Sequence, residues 1–234
     1  PYLRDSNQPY GQRMALRVID ALDADLEASS ILPLLHSTDP DLRQETRQMA
    51  SRRKEWKPAM IQVFRELSLV ANSKQLNLQL IESLILSYAQ EDDFQSALLE
   101  MMSSAGQRPE FKEHLLNSIA FLEDLPETLE ACVLLGLKED APGVRSASLK
   151  LAARFEMPST ILRFISQLEA REGLSKKDKV DALKVLFKHH DRPPDGSIAF
   201  LIRLITDENS SVILSLHAAQ VMGALRWHLL DESE

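Results

Sequence analysis

Apolar residues return every three or four positions through most of this chain, in segments of helical length separated by turns of Asp, Pro, Gly and Ser. That spacing draws a stripe down one side of a helix, whereas a half-buried strand would alternate. Met14, Leu16, Val18, Ile19 and Leu22 make such a stripe over 9–22. The pattern predicts further helices over 30–36, 41–54, 57–70, 74–90, 94–104 and 111–122. Another opens at Pro126 and carries Cys132, and four more cover 144–155, 159–170, 175–189 and 197–206, with a last one over 212–230. Residues 1–7 read as the remnant of a partner helix and 231–234 as a frayed tail. The punctuation agrees with these limits. Asp39 suits a helix cap and Pro40 the first helical position, Asp92 and Asp93 are cap candidates, and Gly106, Gly173 and Pro193-Pro194 interrupt the chain.

The helices fall into pairs. The second helix of each pair begins near Gln12, Leu42, Gln75, Phe111, Val144, Lys177 and Val212, at intervals of 30 to 36 residues. One helical pair cannot bury its own apolar face, but stacked pairs bury each other, so a steady period marks a helical-repeat array. No connection is longer than a turn, which predicts one domain over 1–234. The expected fold is all-α, a right-handed α-solenoid of about seven stacked hairpins with the first incomplete.

Composition narrows the functions. Gly is scarce, with 7 in 234 residues, and aromatics make up 6%, which favours helix over sheet. A net charge of −8 argues against non-specific nucleic-acid binding. Cys132 is the single cysteine, so an intrachain disulfide and a cysteine-based zinc site are excluded, and its apolar neighbours make it a small core residue. No run approaches the ~18 apolar residues of a membrane span, and no signal peptide is present. A cytoplasmic location is expected, although the chain starts at Pro1 without a Met, which leaves room for an upstream signal, anchor or domain.

The turn-and-helix segment 139–153 carries a more specific signature. Glu139, Pro142, Val144, Arg145, Leu149, Ala152 and Ala153 resemble the HEAT-repeat pattern of an acid, a Pro-containing turn, Val-Arg at the start of the second helix, and small residues where helices pack. Asp39, Pro40, Leu42, Arg43, Met49 and Ala50 resemble it nearly as well, while the unit at Asp207 and Val212 has Ile213 in place of the Arg. The units around Gln75 and Phe111 follow the period alone. In that family the acid and the Arg form a ladder between neighbouring repeats. The resemblance therefore implies structural roles for Asp39, Arg43, Glu139, Arg145 and Asp207. The Trp-Leu-Gly-Tyr and Ala-Phe-Pro pattern of the tetratricopeptide family is absent.

Arg13 and Arg17 lie one helical turn apart, and Arg43 and Arg47 repeat that spacing one unit later, with Arg52, Arg53 and Trp56 following. On helices that line a concave face these form a candidate cationic strip for an acidic partner. Trp56 is a candidate stacking platform or, more simply, the anchor of the next helix. A second basic set, Lys176, Lys177, Lys179, Lys184, Lys188, His189 and His190, is interrupted by Asp178 and Asp181 and reads as a mixed-charge helix surface. Adjacent His189 and His190 point about 100° apart on a helix and do not share a metal. None of the six histidines is followed by Glu, which removes the iron-binding pattern of the HEAT-like hydroxylases. Few aromatics and a pI near 5.3 fit poorly with the helical-repeat DNA glycosylases, and no residue here supports a phycobilin lyase. No catalytic residue, metal site or cofactor is predicted. The expected function is a non-catalytic scaffold or adaptor that holds a protein or peptide, acidic in character, along its concave face. The alternatives are a nucleic-acid-binding repeat protein and a soluble module of a larger membrane-anchored protein.

Overall fold

A computed structural model describes residues 3, 8–70, 78–189 and 194–225, the side chains of 68–70 excepted. The described residues form thirteen α-helices joined by turns and short 3-10 segments, with no strand among them. Packing divides the chain into two compact units, Pro1–Phe111 and Lys112–Glu234.

The first unit holds α1 (Pro9–Ala21), α2 (Ala28–Ile31), α3 (Pro40–Arg52), α4 (Lys57–Val70), α5 (Leu78–Tyr88) and α6 (Asp92–Ser103). The division falls within α7 (Pro109–Ile119). The second unit continues with α8 (Glu127–Lys138), α9 (Pro142–Arg154), α10 (Ser159–Glu169), α11 (Lys176–His189), α12 (Ser197–Thr206) and α13 (Val212–Gly223). In the first unit α3 packs between α1 and α5, and α4 packs on α5 and α6. In the second, α11 packs between α9 and α13, while α8 rests on α9, α10 on α11, and α12 on α13.

Local chemistry sets the helix limits. Asp39 Oδ1 accepts the Leu42 N–H at 2.7 Å and Pro40 fills the first helical position, so α3 starts one residue earlier than the apolar pattern suggests. Ser175 and Ser211 cap α11 and α13 in the same way, through the N–H groups of Asp178 and Leu214. The helix expected over 30–36 divides into α2 and a 3-10 turn at Leu32–His36, because Pro33 has no N–H to continue the α ladder. Asp92 and Asp93 are not caps. Helix α6 starts at Asp92, so both acids sit in its first turn, where they face the positive end of the helix dipole. The turn expected at 71–73, the start of the helix over 74–90, His190, the end of the last helix, and most of the N-terminal and all of the C-terminal segments lie outside the described residues.

Each unit has a largely apolar interior. Phe64 and Phe94, both fully buried, meet with ring centroids 4.8 Å apart, and Tyr88 sits 6.0 Å from Phe94. The Tyr88 hydroxyl donates to the Ala50 carbonyl at 2.6 Å. In the second unit Val180, Leu183, Phe187, Leu201, Leu204, Ala218 and Val221 form one apolar cluster. Helices α8 and α9 approach so closely at Gly136 that a Cβ there would lie 2.1 Å from Ser148 Oγ.

Candidate functional site

Helix α3 buries Leu42, Thr46, Met49 and Ala50, and the same 3.6-residue repeat turns Arg43, Gln44, Arg47, Gln48 and Ser51 to its outer side. Gln79, Glu82 and Ser83 of α5 face them across a groove of about 660 Å³. Both arginines are half-buried. Arg43 Nη1 donates to the Ser37 carbonyl at 2.5 Å, and Arg47 Nη1 donates to Gln79 Oε1 at 3.1 Å. Burial and, after it, the charge of Arg43 push the Arg47 guanidinium below its ordinary value. Leu86 adds an exposed apolar spot at its edge.

The other arginines of the predicted strip lie elsewhere and carry acids. Arg13 Nη1 is 2.6 Å from Asp41 Oδ2, and Arg17 Nε donates to Glu45 Oε1 at 2.9 Å, the hydrogen bond and charge of Glu45 raising the Arg17 guanidinium. Arg52 Nη1 is 3.0 Å from Asp20 Oδ2. Thus the four residues Arg13, Arg17, Arg43 and Arg47 do not make one cationic strip; the first two are neutralised across the α1–α3 contact and the last two line the α3–α5 groove. Arg53 is buried, its Nη1 donating to the Ala24 carbonyl at 3.0 Å and its guanidinium 5.2 Å above the Trp56 ring. Trp56 is 3% exposed and donates through Nε1 to the Leu26 carbonyl at 2.9 Å. It anchors the approach to α4 and offers no open ring for stacking.

The residues assigned to a ladder occupy four different arrangements. Arg145 reaches from α9 to Asp178 of α11 at 3.2 Å and donates to the Glu139 carbonyl at 2.8 Å. The Glu139 carboxylate takes Lys112 Nζ instead, at 2.6 Å. Asp39 caps α3 and Arg43 holds the preceding turn, as described above. Asp207 accepts from the Asn209 N–H and the Ser210 hydroxyl, which hold its carboxyl below the usual range, with Lys176 Nζ at 3.6 Å.

In the second unit Asp181, nearly inaccessible on α11, faces Lys177 Nζ at 3.1 Å, Ser146 Oγ at 3.3 Å and His217 Nε2 at 3.5 Å. Lys179 pairs with Glu169 and lies over the Phe200 ring, and Lys188 and His189 both face Glu156. The second basic set is thereby tied up in local pairs, apart from Lys184 and the undescribed His190. Cys132 is fully buried and its thiol is pushed up to about 12 by that burial, which suits a packing residue rather than a nucleophile. Among the described residues no group of three His, Cys, Asp or Glu side chains is disposed to hold a metal ion, and no helix is long and apolar enough to cross a membrane.

The sequence pattern does not single out the α5 side of the groove, because the unit around Gln75 follows the period alone. The signal is the row Gln79, Ser83 and Ser87, at four-residue spacing and beside Glu82 on a helix whose other positions are apolar or aromatic. No family model, curated protein or solved structure matches the chain.

Proposed function

We propose that this chain is a non-catalytic scaffold, a HEAT-like helical array whose second helices present a surface that captures a protein or peptide. The observation that carries this reading is the polar groove between α3 and α5, the place where two half-buried arginines line an open cleft. The repeat reading draws support from the side-chain bonds, which join positions about one repeat apart in both units: Arg47 to Gln79, Arg52 to Asp20 and Lys57 to Glu91 in the first, Arg145 to Asp178 and Ser146 to Asp181 in the second. Such bonds recur when one hairpin is stacked on the next in constant register.

Protein is favoured over nucleic acid because Arg13, Arg17 and Arg52 already face carboxylates. A continuous phosphate track needs cationic side chains that are not neutralised by their neighbours. The test is a photo-crosslinking amino acid at Gln48, on the groove, and at Gln62, an exposed position of α4, in the native cell. A discrete protein adduct from position 48 that position 62 does not give is the expected result. Equal labelling from both positions, or adducts to nucleic acid, would overturn the reading.

A further inference from the structure

We infer that a cavity of about 300 Å³ among α9, α11 and α13 takes a Leu or Phe side chain of a partner peptide, with the next peptide residue a Glu or Asp that pairs with Lys184. The inference extends the partner capture proposed above to the second unit, and it rests on that unit alone. Ala153 of α9, Lys184, Phe187 and Lys188 of α11, Val221 of α13 and Ala224 just past its end line the cavity. Phe187 and Val221 belong to the apolar cluster of the unit, so the floor is packed from below and formed before anything enters.

Size and lining set the apolar part. The cavity is at the small end of ligand pockets and about twice the volume of an apolar cavity that holds benzene, which is room for one large side chain. Its walls are Ala153, Ala224 and the methylene stems of the two lysines, with no hydroxyl, amide or carboxylate among the lining side chains. Charge sets the neighbour. Lys184 is exposed and pairs with no acid among the described residues, since Asp181, three residues before it, is engaged by Lys177 and His217. Lys188 lies one turn further on, its Nζ donating to the Arg154 and Phe155 carbonyls at 3.3 and 3.1 Å and facing Glu156 at 3.4 Å. Lys150 and Arg154, within one turn of Ala153 on α9, are also basic. A carboxylate beside the apolar side chain therefore meets a positive rim, and a basic residue there is repelled.

The probes are heptapeptides of a Ser/Gly host with Leu-Glu, Ala-Glu, Leu-Gln or Leu-Lys at the centre, titrated into the full chain carrying carbon-13 in its Ala and Val methyls. Dissociation constants come from the NMR shifts of the Ala153, Val221 and Ala224 methyls. Leu-Glu is expected to bind roughly tenfold more tightly than Ala-Glu and about two- to fivefold more tightly than Leu-Gln, with Leu-Lys weaker than Leu-Gln. Lys184→Gln should erase the difference between Leu-Glu and Leu-Gln while keeping that between Leu-Glu and Ala-Glu. Ala224→Leu, read from Ala153 and Val221, should fill the cavity from its rim and erase the preference for Leu over Ala. Both changes fall on exposed residues, and an unaltered melting curve by circular dichroism shows that the fold is kept.

Shifts that miss these methyls, a Leu-Glu peptide that binds no better than Ala-Glu, or a Glu preference that survives Lys184→Gln would overturn the inference. So would shifts of the same methyls when the chain alone is concentrated, because a second copy would then be the occupant. No binding here together with a specific crosslink from position 48 sinks this cavity and leaves partner capture standing. Binding here without a specific crosslink from position 48 sinks the α3–α5 groove and supports the cavity.

Discussion

The contact between Arg145 and Asp178 gives the sharpest test of how the second unit is held together. The Asp178 side chain is 3% exposed and that of Arg145 13%, and they meet at 3.2 Å across α9 and α11. Replacing Arg145 by Ala strands a carboxylate in the interior, a change that costs about 3–5 kcal/mol when a buried pair loses one member. It also removes the donor to the Glu139 carbonyl. Asp178→Ala should cost less, because the less buried Arg145 keeps that carbonyl and some water. The double variant Arg145→Met, Asp178→Leu should recover most of the loss, since apolar groups of similar volume often replace a buried pair without penalty. Urea denaturation followed by circular dichroism gives the three free energies, and adding Arg145→Ala, Asp178→Ala closes a double-mutant cycle that gives the coupling. The reasoning fails if Arg145→Ala costs less than about 1 kcal/mol, the size of an exposed ion pair, or if the double variant is no better than the single one.

Two further outcomes follow from other contacts. Gly136→Ala places a Cβ 2.1 Å from Ser148 Oγ and 2.9 Å from Leu116 Cδ1, an overpacking that should cost about 1–3 kcal/mol in thermal denaturation. Ser148→Ala in that background should return part of it, and a Gly136→Ala protein as stable as the parent would refute the close approach of α8 and α9. Burial, then the charges of Glu55 and Glu91, raise the Tyr88 phenol from the ordinary 10.0 to about 12. Because the folded-state value is the higher one, this stabilisation is complete below pH 10 and is lost as pH climbs from about 10 to 12. Tyr88→Phe should abolish that alkaline loss, as followed by stability against pH, and an unchanged alkaline limb would argue against the buried phenol.

The features legible in the sequence are those set by residues close together in the chain. Helix spacing, the Asp39-Pro40 start of α3 and the burial of Cys132 each depend on neighbours a few positions away, and all were readable. The places where reading by pattern slipped are also local. Pro33 broke an expected helix through its missing N–H, and Asp92 entered α6 instead of capping it because the helix started sooner. The Arg strip was misjudged for another reason. Arg13 and Arg17 have the same one-turn spacing as Arg43 and Arg47, and nothing nearby in the chain tells the pairs apart. The difference lies 28 residues away, where Asp41 and Glu45 lie opposite the first pair, while Gln79 lies 32 residues beyond Arg47. Those separations lie close to the 30-to-36-residue spacing expected of the second helices. The charge of such a surface is therefore legible only when each residue is read together with those about thirty positions away. Applied to Arg47, that reading finds the Gln79 amide. Gln79→Glu would place a carboxylate on Arg47 as Glu45 is placed on Arg17, and the charged bond should leave α3 and α5 no less stable in urea denaturation; a clear loss of stability would argue against this contact between the two helices.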